Sequence, residues 1–238
     1  MLNLRFLILF LLPLLNACGQ QQAAKPKPQA AATDYSSLKD SIEARRKELS
    51  LAYAKAVTSK EKDAVLQSAR EYVFNTLVTD LLPAWYGTPW SFYGMSTQPK
   101  CGSIACGYFV TTVLRDAGFD LPRIKWAQVP SETLIKQITD KPNIKHLINT
   151  DISNVEAYVR ASGKGIYIAG LDSHVGFIVN TGSELSFVHS NYYDPTTGVA
   201  SQQLNSHNPL KDSHYRVVGK ILNDEMMRRW LTKEKLGV

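Results

Sequence analysis

The sequence predicts an α+β domain, with helices packed on a small antiparallel sheet and a helical extension ahead of them. Three observations predict it. Between Tyr35 and Ser162 apolar residues recur at the spacing of helix faces. Between Gly165 and Ile221 they alternate as in half-buried strands, and helices first with a strand meander after is the pattern of this class. The third is the stretch Cys101-Gly-Ser-Ile-Ala-Cys106-Gly-Tyr-Phe-Val-Thr-Thr-Val-Leu-Arg-Asp-Ala-Gly118. Its residues Cys106, Phe109, Val110, Val113, Leu114 and Ala117 form one apolar stripe of helical period.

In chain order, residues 1–17 place Arg5 before a short apolar run ending in small residues, the form of a secretory signal peptide and short for a membrane span. Leu15-Asn-Ala-Cys18 resembles the bacterial lipobox. The resemblance implies lipidation of Cys18, with acyl chains such as palmitate anchoring the protein to a membrane without a spanning helix. Gly19 rather than Asp after that cysteine implies the outer membrane, facing the periplasm. An ordinary cleaved signal with a nearby cysteine is the alternative. Residues 18–34 are rich in Gln, Ala, Lys and Pro, with little to bury, and are expected as a flexible tether.

Residues 35–60 are expected as a helical extension. Leu38, Ile42, Leu49 and Tyr53 share a face, and Glu43, Arg45, Arg46, Lys47 and Glu48 fill the other, which is expected to be solvated, so the helix suits a spacer or partner surface. Thr58-Ser-Lys-Glu61 resembles a capping box. It opens a domain over 61–238, whose first helix has Val65, Ala69, Tyr72, Val73, Thr76 and Leu77 on one side. Tyr86-Gly-Thr-Pro-Trp-Ser-Phe-Tyr-Gly94 breaks the period and reads as an ordered loop beside the Cys106 helix. Short helices are expected over Ser131–Ile138, with Ser131 as cap, and Asp151–Ser162, with His146 in a surface loop between them. Strands are expected at 165–169, 173–179, 184–190 and 214–221, and a final helix from Asp224 to Trp230.

The chain has 238 residues, 44% of them hydrophobic, enough for one ordinary domain plus the extension. Its net charge is +6, and Arg5 is the only charge ahead of Cys18, leaving +5 on the rest. That suits an anionic envelope, and no basic run points to nucleic acid. Of three cysteines, Cys101 and Cys106 remain beside Cys18. A bridge between them would close a very short loop across a helix start, an awkward geometry open only to a redox-sensitive form. No C-x-x-C or H-x-x-x-H spacing supports a metal site, and no cofactor is expected.

Ser103 reads as the N-cap of the Cys106 helix, and Gly118 with Pro122 as its stop. Cys106 would then sit in the first turn, where free N–H groups and the helix dipole favour thiolate. A burial role as a small core residue is the alternative. Catalysis by a thiol needs a base beside it and a group that orients the base. His174 begins one strand and His189 ends the next, so a hairpin would bring them together on one face, the second holding the first in its tautomer. Gly176 on the same face would leave room for a helix head.

The segments Tyr86-Gly-Thr-Pro-Trp, Tyr93-Gly94, Cys106-Gly-Tyr-Phe-Val, Ala117-Gly-Phe-Asp-Leu-Pro-Arg123, His174-Val-Gly-Phe-Ile and Phe187-Val-His-Ser190 resemble, in order and spacing, the NlpC-type cysteine peptidases. These are papain-like bacterial hydrolases of peptidoglycan stem peptides. The resemblance covers about 65–221 and implies Cys106 as nucleophile, His174 as base and His189 as the orienting third residue. Asn191, on the same strand face, is the alternative third residue. Tyr93 resembles the family tyrosine near the oxyanion and substrate amine. The family pattern Asp-Cys-Ser-Gly-Phe departs to Ala105-Cys106-Gly107-Tyr108-Phe109, and Ala105 lacks the carboxylate that holds a free stem-peptide amine. A catalytically inactive lipoprotein that binds cell wall or protein through the same fold is the competing expectation. Acyl or ester transfer by the same triad is a further enzymatic option.

Overall fold

A computed structural model describes residues 29–237. The signal peptide, Cys18 and most of the expected tether lie outside the described residues. The described residues form mixed helices and one six-stranded antiparallel sheet. The strands are β1 (Ile144–His146), β2 (Gly165–Leu171), β3 (Val175–Asn180), β4 (Leu185–Ser190), β5 (Val199–Gln202) and β6 (Arg216–Lys220), in the spatial order β1-β6-β2-β3-β4-β5. The four expected strands are present within a few residues. β1 and β5, at the two edges, are additional, and His146 stands on β1 rather than in a loop. Among the described residues no helix is long and apolar enough to cross a membrane.

The helix α1 (Gln29–Lys55) begins inside the expected tether and is not a spacer. Its Tyr35, Ile42 and Leu49 are buried in the same core as the Cys106 helix. The Tyr35 hydroxyl donates to Asp116 Oδ2 at 3.0 Å and accepts from the Trp85 indole N–H at 3.0 Å. Arg46, expected on a solvated face, is buried. Its Nη1 donates to the carbonyls of Trp230 and Leu231 at 3.4 and 3.2 Å, at the end of α9 (Asp224–Thr232), while its other nitrogens grip Glu43. A guanidinium on the open carbonyls of a helix C-terminus satisfies acceptors that the helix itself leaves unpaired. Residues 35–60 and 61–238 therefore share one core.

Thr58 and Glu61 make the expected capping box at the head of α2 (Ser59–Thr76). This helix continues through a π-helical turn, Leu77–Leu81, into α3 (Leu82–Trp85). Pro83, which has no N–H to give an ordinary helical bond, stands just beyond the widened turn.

The Cys106 helix, α4 (Cys106–Asp116), is buried nearly all round rather than along one stripe. Thr111 and Thr112, on its polar side, return their hydroxyls to the Gly107 and Tyr108 carbonyls. Gly118 ends it with φ +97°, as a left-handed C-terminal glycine does. The next helix, α5 (Arg123–Ala127), crosses so close that a Cβ on Gly107 would stand 2.2 Å from the Ala127 carbonyl oxygen. Helices α6 (Ser131–Ile138) and α7 (Ile152–Ala161) were both expected. Ser131 is the first helical residue of α6 rather than its cap, and Asp151 caps α7 by accepting from the Ser153 N–H. A short α8 (Pro209–Asp212) precedes β6.

Both faces of the central strands are covered. Ile166, Ile168, Val175, Phe177, Val179 and Val188 belong to the core that α4 shares. Tyr167, Ala169, Leu171, Ile178 and Phe187 belong to a second core with Val155 and Val159 of α7 and Leu210 of α8.

Candidate active site

The site is where the head of α4 meets the start of β3. Helix α4 starts at Cys106 itself. Its N-cap is Ala105, with no side-chain capping bond, so Ser103 is not the cap. The ordered loop over 86–94 supports this start from below: the Ala105 N–H donates to the Gly94 carbonyl at 2.8 Å, and Trp90 and Met95 bridge to Ile104. Backbone N–H groups of Val175, Gly107 and Cys106 face the thiol sulfur. Burial nevertheless dominates and pushes the thiol above its ordinary value. The expected thiolate is thus corrected: the helix head helps the anion, but an apolar surround costs it more.

His174 is 4% exposed, immediately before β3. It lines the same cleft as Cys106, a space of about 490 Å³ walled by α5, the start of α6 and the segment Leu171–Val175. Its Nε2 lies 2.9 Å from His189 Nδ1 on β4, so the hairpin brings the two histidines together as expected. His174 Nδ1 is buried with no hydrogen-bond partner and is the ring nitrogen left for a thiol. Gly176 makes room, but for the neighbouring strand and not for the helix head. A Cβ there would meet the Phe187 ring at 2.6 Å and His189 Cβ at 2.8 Å. Phe187 stacks on the His189 ring at 4.4 Å and 18°, and Tyr192 packs at 5.1 Å on His174. Burial lowers both imidazoles, His189 to about 4 and His174 well below its usual value, where the neighbouring His189 also opposes protonation. The directions of these shifts give a neutral thiol and a neutral imidazole lining one cleft near neutral pH.

The other expected site residues fall elsewhere. Asn191 is buried, but its Oδ1 accepts from the N–H groups of Tyr193 and Asp194 and shapes that turn, so it is not the group behind His174. Tyr93 is 85% exposed, with its ring edge-on to Phe92 at 5.1 Å, and does not line the cleft. Sequence reasoning missed Gln202, whose Oε1 lies 2.8 Å from His189 Nε2. Its signal was the alternation Val199-Ala-Ser-Gln202, too short to be read as a strand. A second cavity of about 510 Å³, at Arg70, Phe74, Lys164 and Lys220, is similar in size but holds no nucleophile or histidine. Among the described residues no three His, Cys, Asp or Glu side chains are grouped to hold a metal ion.

The raised thiol has a direct consequence. Alkylation of the full chain at neutral pH with a small reagent is expected to label exposed Cys101 before Cys106. The Cys106 midpoint should lie above the free-cysteine value of about 8.5. Preferential Cys106 labelling at about pH 6 would overturn this and establish a resting thiolate–imidazolium pair.

No family model, curated protein or solved structure matches the chain.

Proposed function

We propose that this chain is a lipid-anchored, papain-like thiol hydrolase of the NlpC type that cleaves amide bonds in peptidoglycan stem peptides. One observation carries the reading: a helix-head cysteine shares a cleft with a buried histidine whose free Nδ1 is backed by a second histidine through Nε2. That is the nucleophile, base and orienter that acyl transfer by a thiol requires. In this mechanism Cys106 gives its proton to His174 Nδ1 as the sulfur attacks the amide carbonyl carbon. The N–H groups at the head of α4, the first intrahelical bond being that of Phe109, are free to stabilise the developing oxyanion. The His174 imidazolium then protonates the leaving amine. Water, deprotonated by the same ring, releases the acid from the thioester. Starting from a neutral pair, proton transfer accompanies attack rather than preceding it.

Gly107, a departure from the family serine, follows from the α5 carbonyl that leaves no room for a Cβ. The test is digestion of purified peptidoglycan by the full-length protein in detergent, with the products weighed. Soluble fragments with new amine and carboxyl ends are expected. Binding to the wall without fragments would favour the inactive, wall-binding alternative. Anchoring is tested separately. Cys18→Ser is expected to move the protein from the outer-membrane fraction to the soluble one, and a wild-type protein found soluble and unlipidated would overturn the anchor.

A further inference from the structure

We propose that Gln202 is a positioning residue that sets the tautomers of both histidines, so that His174 keeps an unprotonated Nδ1 toward Cys106. The tautomer assignment stands on geometry, and its catalytic meaning rests on the hydrolase reading above. In the β4–β5 register Gln202 lies opposite Phe187, and His189 lies opposite Ala200. Gln202 and His189 are thus diagonal neighbours on one face, within reach of a long side chain. Phe187, stacked on His189, holds the ring plane that aims Nε2 at the amide.

With Gln202 Oε1 facing the ring, the hydrogen count has one solution. Gln202 Oε1 is only an acceptor, so His189 Nε2 carries a hydrogen. A neutral imidazole has one ring hydrogen, so His189 Nδ1 is a bare lone pair. The 2.9 Å contact between the rings must then be donated by His174 Nε2. His174, also neutral, has spent its only hydrogen, and its Nδ1 is free to receive a proton. Reversing the amide at the far end would reverse every donor and place a hydrogen on His174 Nδ1, leaving no base at the sulfur. One uncharged side chain at an edge strand thereby specifies which nitrogen works two residues away in the relay. Burial of both rings, which disfavours imidazolium, keeps the count at one hydrogen each.

The test uses ring nitrogen-15 shifts of the histidine-labelled full chain near pH 7, which separate protonated from bare nitrogens without any substrate. His174 and His189 are both expected as Nε2–H tautomers. In Gln202→Met the acceptor is gone at similar length. A fraction of both rings is expected to move to the Nδ1–H form, with hydrolysis falling by roughly 10²-fold. Gln202→Glu restores an acceptor and is expected to restore the Nε2–H signals and most of the rate. Wild-type rings found as Nδ1–H, or Gln202→Met signals unmoved from wild type, would overturn the assignment. The wild-type spectrum decides even where the variant fails to fold. The expected tautomers in a protein that hydrolyses nothing would uphold Gln202's role and remove the hydrolase reading instead.

Discussion

Cys106→Ser is expected to abolish peptidoglycan hydrolysis, by at least about 10³-fold, while leaving the folded state intact. Serine occupies less volume at a half-buried position, and the N–H groups of Val175 and Gly107 that face the sulfur can as well face an oxygen. On the proposed mechanism what is lost is the nucleophile, since a hydroxyl is far harder to deprotonate than a thiol. His174→Ala is expected to fall equally far, because no other described imidazole lines the cleft with Cys106. His189→Ala is expected to lose less, because an orienting group is partly dispensable when the base remains. The double variant Cys106→Ser/His174→Ala should be no worse than either single one, as expected of groups that act as a unit. Hydrolysis surviving in Cys106→Ser would overturn the nucleophile assignment.

The second large effect is on stability against acid. His189 has its folded value lowered to about 4 by burial, against an ordinary 6.5, and His174 is lowered well below 6.5. The sign follows from linkage: the unfolded chain binds protons that the folded chain refuses, so stability is full above about pH 6.5 and is lost as pH falls toward the folded values. His189 alone accounts for roughly 3 kcal/mol between pH 6.5 and 4. His174 shifts in the same direction, so near pH 5 the slope of unfolding free energy should exceed that of a single titrating group. Glu43, Glu132 and Glu225, held near 2 by ion pairs and hydrogen bonds, shift the balance only below about pH 4.5. The interval above that belongs to the histidine pair. Denaturant titrations at pH 7, 6 and 5 measure it. Stability unchanged over that interval would mean that the rings are hydrated, and the buried relay would be wrong.

These expectations show which parts of the molecule could be read along the chain. The helix stripe through Cys106 and the strand alternations around His174 and His189 are short-range patterns, and their periods survive folding unchanged. The thiol's surroundings are not a pattern of that kind. Its ionisation follows from how much apolar wall closes over the helix head, a quantity that local capping logic leaves out. The misplaced cap has the same origin. Ser103 is a better N-cap by type, but the bridges from Trp90 and Met95 to Ile104 hold that segment extended until Cys106.

Arg46 illustrates the other gap. A charged helix face was a reasonable sign of solvent, yet the acceptors that bury its guanidinium lie 184 and 185 residues away, at the carboxyl end of α9. No local spacing encodes such a pairing. By itself the sequence determined the α+β class, the helix that carries the thiol and the hairpin that joins two histidines, because each follows from a repeat of a few residues. Only the tertiary structure decided that α1 belongs to the core, that burial closes over the thiol and that Gln202 reaches His189. Those depend on burial and on long-range register, which exist only once distant segments have packed.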